Sequence, residues 1–255
     1  MKSMFSAAFV LLLSTSIFAQ ITPEWVRYPA ISPDGETIAF TYQGDLYTVA
    51  TSGGEAIRLT FNTAHDYMPV WSNDGSQIAF ASDRHGNFDI FVMDANGGQA
   101  KRLTFHSYPE SPLSYSADGS EIYFNAHRQD LATHREYPTT SHTELYSVPA
   151  AGGRIDQVFT VTALNLSMNA DGSGFLYEDM PAREDQWRKH HQSAVTHDIW
   201  NYDFENGTHT KLTDFAGEDR NPILNADETA FYFLSERNGT FNVFKQELSS
   251  GTVRQ

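Results

Sequence analysis

The chain has 255 residues, 40% of them hydrophobic and 13% aromatic, which is enough for one all-β domain with a substantial buried core. Its 32 acidic and 17 basic residues give a formal net charge of -15, a sign that disfavours nucleic acid or an anionic membrane surface as the main partner. Cysteine is absent, which excludes disulfides, thiolate metal sites and cysteine nucleophiles.

Residues 1–19 have the pattern of an export signal. Lys2 provides a positive start, residues 4–13 form an apolar core, and Ala19 is a small residue at the expected cleavage position. No later segment approaches the ~20 apolar residues of a transmembrane helix. The sequence therefore predicts a mature chain that begins at Gln20 and is exported, either to a bacterial periplasm or to the outside, without membrane insertion.

A turn motif of the Ser-x-Asp-Gly type recurs five times, with its third residue spaced by 40, 44, 53 and 56 positions. An aspartate that bonds its own backbone, followed by a glycine in the left-handed region, makes such a motif a tight hairpin turn. Calcium loops need more oxygens, so a structural turn is the preferred interpretation. The five copies are Ser32–Gly35, Ser72–Gly75, Ser116–Gly119, Asn169–Gly172 and Asn225–Glu228.

Each turn is followed by two strand signatures. The first comprises Ile38–Phe40, Ile78–Phe80, Ile122–Phe124, Phe175–Tyr177 and Phe231–Phe233. The second comprises Asp45–Tyr47, Asp89–Phe91, Glu144–Tyr146, Asp198–Trp200 and Asn242–Phe244. A second turn then leads to one polar repeat position, occupied by Arg58, Arg102, Gln157, Lys211 and Gln255.

Repeated units of four short strands predict a β-propeller, an all-β fold of four-stranded blades, over residues 20–255. The units are expected at about 28–66, 67–110, 111–160, 161–219 and 220–255. Since Gln255 occupies the repeat position of Arg58, the fifth blade is predicted to lack most of its outer strand. We therefore expect part of a propeller of six or more blades, with a closed five-bladed ring completed by residues 21–27 as the alternative.

Two long insertions, 125–143 and 179–197, lie on the face of the propeller that carries the longer loops, where binding sites usually occur. The second insertion concentrates basic, aromatic and histidine side chains. It is interpreted either as a recognition loop for a peptide, a partner domain or the channel, or as a structural flap. The candidate binding residues are Trp187, Arg188, Lys189, His190, His191 and His197.

The sequence predicts no metal site, no cofactor and no catalytic residue. The histidines lack the spacing that places two ring nitrogens on one helix face, and no nucleophile elbow or phosphate loop is present. Two matching segments, Ser82-Asp83-Arg84 and Ser235-Glu236-Arg237, are instead expected to join neighbouring blades. Their repetition favours scaffolding over catalysis.

The blades resemble the TolB-type (WD40-like) propeller repeat, and segment 187–200 resembles the N-terminal propeller of secreted bacterial tricorn-like serine peptidases. That resemblance implies a non-catalytic propeller that binds peptide or protein substrates. It also implies C-terminal peptidase domains of the same polypeptide as partners. The family's catalytic serine and histidine belong to those domains, so no catalytic residue is carried over.

Other functions remain open from the sequence. A stand-alone periplasmic TolB-like propeller that binds proteins is the main alternative, although no room exists before Tyr28 for the α/β domain that TolB carries. A propeller gating a prolyl-type oligopeptidase, or an enzyme with its site in the channel, is also compatible with the repeat. A homo-oligomer is a further possibility.

Overall fold

The computed structural model describes residues 24–128, 142–180 and 192–255, and all regular structure in these ranges is β-strand. Since they contain no helix, they contain none long and apolar enough to cross a membrane. The twenty strands form five antiparallel sheets of four strands each, arranged as successive sectors of a ring. The predicted all-β propeller fold, with five four-stranded blades present in this chain, is confirmed.

The strands follow the chain in order within each blade. The first two blades contain β1 (Arg27–Ile31), β2 (Thr37–Tyr42), β3 (Asp45–Ala50), β4 (Ile57–Arg58), β5 (Asp66–Trp71), β6 (Gln77–Ser82), β7 (Asp89–Asp94) and β8 (Lys101–Arg102). The next two contain β9 (Glu110–Tyr115), β10 (Glu121–Ala126), β11 (Glu144–Pro149), β12 (Asp156–Phe159), β13 (Ala163–Met168), β14 (Gly174–Asp179), β15 (Ile199–Asp203) and β16 (Thr208–Lys211). The fifth contains β17 (Asp219–Leu224), β18 (Ala230–Ser235), β19 (Asn242–Glu247) and β20 (Val253–Arg254).

The recurrent tetrapeptides form the hairpin turns between first and second strands, as predicted. In the first copy the Ser32 hydroxyl donates to Asp34 at 2.5 Å and accepts the Thr37 N–H at 2.9 Å, while Gly35 has a φ of 74°. The hydrogen bond from Ser72 and the equivalent bond from Ser116 lower the pKa of the aspartate in each of the next two copies to about 2. The turn chemistry of the sequence therefore fixes one end of every blade.

The first strand of each blade is a sheet edge, and in the first, second and fifth blades a proline marks it. Pro29, Pro69 and Pro222 follow residues with positive φ, which are 50° at Tyr28 and 54° at both Met68 and Asn221. The strand register shifts at each of these places, which identifies β-bulges. Proline fits here because an edge strand needs no N–H donor on its free side. Sequence reasoning missed this repeated proline.

The apolar core lies between blades. Ile78 and Phe80 of β6 pack with Leu46 of β3, whereas Ala79 packs with Phe124 of β10 in the third blade. Because alternate residues of a strand point to opposite faces, both faces of each internal blade are buried. The same arrangement joins the third to the fourth blade and the fourth to the fifth.

The fifth blade has its fourth strand. β20 is two residues long, as are β4 and β8, and pairs with β19 through Lys245 and Arg254. In the first blade β4 ends at Arg58, which is the repeat position that Gln255 occupies in the fifth blade. The outer strand expected to be mostly missing is therefore as long as those of the first two blades. Arg27 begins β1 and supplies no strand to the fifth blade.

The outward face of the fifth blade is exposed. Leu46, Ile90, Leu145 and Ile199 occupy one repeat position in the first four blades, and each is 0% exposed. Val243 occupies that position in the fifth blade and is 58% exposed, and the neighbouring Tyr232 and Ile223 are 44% and 62% exposed. We call Ile223, Tyr232 and Val243 the end face. It is the surface that a following blade covers elsewhere in the molecule.

Candidate functional site

One face of the propeller carries the connections between second and third strands and those between successive blades. We call it the loop face. Both long insertions emerge from it, but residues 129–141 and 181–191 lie outside the described residues. Trp187, Arg188, Lys189, His190 and His191 are therefore not placed by the structure, and their role in binding remains a prediction.

Buried ion pairs form a repeated layer beneath the loop face. Arg84 contacts both carboxylate oxygens of Asp66 at 2.9 Å and donates to Ser82 at 2.8 Å. Arg237 and Asp219 repeat this arrangement in the fifth blade, at 2.9 and 3.1 Å. Each pair joins the first strand of a blade to the end of the second strand of the same blade. The prediction that these segments join neighbouring blades is thus wrong, because their partner lies in their own sheet.

A second repeated contact joins the third and fourth strands. Asp45 contacts Arg58 at 2.5 Å, and Asp89 contacts Arg102 at 2.7 Å. The fourth blade uses Asp198 and Lys211 at 2.6 Å. The polar repeat position of the sequence is therefore explained as the partner of the acidic residue that opens the third strand.

Burial changes the acid strength of this layer. Removal from water raises the pKa of Asp89, of Glu110 and of Asp219, and in each case it outweighs the neighbouring arginine, which lowers the pKa. Glu110 is paired with Arg128, and the Glu110 side chain is 0% exposed. These carboxylates are held within the scaffold rather than offered to a ligand.

The fourth blade departs from the pattern where the long insertion leaves it. Ala163 replaces the acidic residue that opens the first strand in its neighbours, and Asp179 accepts the indole N–H of Trp200 at 2.8 Å. Asp179 also accepts the backbone N–H of Asp198 at 2.7 Å, which closes the base of the insertion. Burial raises the pKa of Asp179.

His197, the last predicted binding residue, is buried and belongs to the scaffold. Its Nδ1 lies 2.6 Å from Glu178, and the two side chains are 8% and 3% exposed. Glu178 also accepts the Asn165 amide and the Asn221 backbone N–H, both at 2.8 Å. The pair therefore ties the fourth blade to the bulge of the fifth. This position does not offer His197 to a partner.

The His197–Glu178 pair predicts a pH-dependent stability. Burial alone lowers the pKa of His197, but the hydrogen bond and charge of Glu178 outweigh it, so the pKa lies above its ordinary value of 6.5. Its stabilising effect is fully present below pH 6.5 and is lost as the pH rises through the folded-state pKa. We expect His197→Gln to lower the free energy of unfolding by about 2 kcal/mol at pH 6, and by less at pH 9, in urea titrations.

His209 provides a control, because the effect of its substitution on stability should change with pH in the opposite direction. Its Nδ1 lies 2.8 Å from the Tyr177 hydroxyl, and burial lowers its pKa. A lowered histidine pKa makes the folded state less stable at acidic pH, so the effect of His209→Gln should shift in the other direction between pH 6 and pH 9. The same pH trend for both variants would contradict the assignment to the Glu178 pair.

An aromatic cluster lies on the loop face of the first two blades, at residues that sequence reasoning did not single out. The Tyr67 ring centroid lies 5.4 Å from Tyr28, 4.7 Å from Phe88 and 5.5 Å from His65. Tyr28 is 44% exposed and His65 is also exposed, so the cluster opens to solvent. The available signal was an aromatic residue one or two positions before two of the repeated prolines, Tyr28 before Pro29 and Tyr67 before Pro69. We call these four residues the aromatic cluster.

Short hydrogen bonds hold the loops around the aromatic cluster. The His65 backbone N–H donates to the Asp83 carboxylate at 2.7 Å, which joins the two loops of the second blade. The Tyr67 hydroxyl lies 3.1 Å from Ser111 of the third blade. These contacts set the rings in place before any ligand arrives.

The family of the chain follows from a comparison over nearly its whole length. A family model described as the tricorn protease N-terminal beta propeller domain matches residues 23–255. The chain belongs to this family. The tricorn-like resemblance drawn from the repeat and from segment 187–200 is thereby confirmed.

Solved structures share the tricorn-type propeller fold. A putative TolB from Agrobacterium tumefaciens is 17% identical, with a TM-score of 0.72, over 91% of this chain and 80% of that chain. TolB from Acinetobacter baumannii is 19% identical, with a TM-score of 0.68, over 89% of this chain and 53% of that chain. The tricorn protease is 19% identical, with a TM-score of 0.73, over 91% of this chain and 22% of that chain. At such identities the likeness shows the fold.

Proposed function

We propose that this chain is the non-catalytic propeller region of an exported tricorn-like peptidase, where it binds or channels peptides towards a peptidase core outside this chain. Membership of the tricorn N-terminal propeller family over residues 23–255 is the observation that carries this proposal. This chain covers 22% of the solved tricorn protease, so a peptidase of that length has room for a separate peptidase core. Peptides are the substrate class that we assign, because the matched family is described by the name of a protease.

The loop face supports binding rather than chemistry. His197 is engaged by Glu178 within the scaffold, and the carboxylates Asp66 and Asp219 are each engaged by an arginine on both oxygens. Among the described residues of the loop face, the aromatic cluster is open to solvent. Aromatic rings with partial exposure are common anchors in peptide recognition.

A stand-alone periplasmic propeller that binds proteins is the second candidate. The observation that favours it is the likeness to the putative TolB of Agrobacterium tumefaciens, which extends over 80% of that chain. Export to the periplasm is common to both candidates and rests on the signal-like pattern of residues 1–19. The two differ in the partner: a peptide of any source, or a folded protein of the envelope.

Peptide binding without cleavage is the expected result. The purified chain should bind unstructured peptides of about ten residues, and the bound peptides should be recovered intact by mass spectrometry after prolonged incubation. Binding is measured by fluorescence anisotropy with labelled peptides. Cleavage by the chain would contradict a non-catalytic role, and capture of a folded envelope protein without peptide binding would favour the second candidate.

A further inference from the structure

We propose that the aromatic cluster, together with the carboxylate of Asp83, binds the cationic side chain of an arginine in a peptide. This inference rests on the proposed peptide-binding function and names the chemical group that the loop face recognises. Tyrosine and phenylalanine faces attract a guanidinium through the ring quadrupole, and more strongly where water is partly excluded. The aromatic cluster provides several such rings within one solvent-open site.

The first argument comes from the other aromatic residues of the loop face. Arg58 lies over Phe61 with its guanidinium carbon 5.0 Å from the ring centroid, and Arg102 lies over Phe105 at 4.6 Å. Phe215 and Phe241 are covered in the same way, by Arg237 at 5.3 Å and by Arg220 at 5.6 Å. In the part of the chain that the structure describes, no arginine or lysine lies over Tyr28, His65, Tyr67 or Phe88. Among the described residues, no cationic side chain of the protein therefore occupies the ring faces of the aromatic cluster.

The second argument is the charge beside the cluster. Asp66 is neutralised by Arg84, and Asp89 by Arg102. Asp83 accepts the His65 N–H through one oxygen, and the described residues contain no cationic partner for it. One uncompensated carboxylate therefore adjoins the open rings. A guanidinium can interact with the rings and with the carboxylate together, since it stacks on a ring face and donates hydrogen bonds to a carboxylate.

The third argument is selectivity for a peptide that carries positive charge. The chain has a formal net charge of -15, so its field attracts cationic ligands from a distance. The attraction brings such a peptide to the surface, and the rings hold one side chain. An apolar aromatic side chain could occupy the cluster but would leave Asp83 without a cation.

The test compares two peptides that differ in one group. Acetyl-Ala-Ala-Arg-Ala-Ala-amide carries the guanidinium, and the same peptide with citrulline keeps the shape and hydrogen-bonding capacity without the charge. We expect the arginine peptide to bind the chain about tenfold more tightly in calorimetric titrations at low salt. The preference should fall to about twofold or less in Phe88→Leu, which removes a ring, and in Asp83→Asn, which removes the charge and retains the acceptor for His65.

Phe105→Leu is the matched control, because Phe105 is a loop-face ring that is 72% exposed and already covered by Arg102. This variant should keep the tenfold preference, and circular dichroism establishes that each variant is folded. Equal binding of the two peptides would overturn the arginine site and leave peptide binding in place. Failure of both peptides and of the longer ones to bind would overturn the proposed function as well. A preference that survives in both Phe88→Leu and Asp83→Asn would place the cation elsewhere and overturn this assignment.

Discussion

Arg84→Met is expected to lower the free energy of unfolding by about 3–5 kcal/mol, the range for breaking a buried ion pair. The Asp66 side chain is 0% exposed, and Arg84 contacts both of its oxygens at 2.9 Å. Removing the guanidinium leaves the buried Asp66 carboxylate with too few hydrogen-bond donors. Methionine retains apolar contact with the Phe80 and Phe91 rings over which the arginine lies, so the loss reports the ion pair.

Arg58→Met supplies the comparison. Arg58 is 38% exposed at its side chain and its partner Asp45 is 10% exposed, so water replaces part of the lost contact. Its loss should be about 1 kcal/mol. Both values come from urea unfolding followed by far-ultraviolet circular dichroism. Similar losses for the two variants would show that the Asp66 pair adds nothing beyond an ordinary surface contact.

Ile90→Ala is expected to lower the free energy of unfolding by about 2–5 kcal/mol, whereas Val243→Ala should change it by less than about 0.5 kcal/mol. The two residues occupy one repeat position, but Ile90 is 0% exposed and packs against the third blade, while Val243 is 58% exposed on the end face. Removing methyl groups leaves a cavity only where a neighbouring blade surrounds them.

The Val243 result also reports what covers the end face in solution. A loss at Val243 comparable with that at Ile90 would contradict an exposed end face. It would indicate contact with a second copy or with the first blade. Sedimentation velocity separates these outcomes, because only a second copy doubles the mass.

The fold could be predicted from the repeat because the contacts that define the repeat are local in sequence. The hydrogen bonds of the Ser32 turn involve residues at most five positions apart, so the sequence contains both partners of each turn in one short window. The strand signatures alternate in the same short windows. A pattern repeated five times then predicts sheets of equal size without any knowledge of how they pack.

The site was less predictable because its contacts join distant residues. Asp66 and Arg84 are 18 positions apart, and their pairing depends on strand register. The nearest ring contact of Tyr28 within the aromatic cluster is Tyr67, in another blade. His197 was a candidate binding residue of an insertion, but it is 8% exposed and hydrogen-bonded to Glu178 on the preceding strand. A sequence pattern alone predicts neither the register of strand pairing nor how deeply a side chain is buried.

The division of the core between blades has a consequence for folding. Each apolar cluster, such as the one shared by Leu46 and Phe80, belongs to two neighbouring sheets, so a single blade in isolation has no interior of its own. Stability then resides in the boundaries, as in a linear array with nearest-neighbour coupling. The third blade has two such boundaries, whereas the first and the fifth have one each. Local opening should therefore begin at the two terminal blades and spread inward, while the middle of the array opens only with the whole.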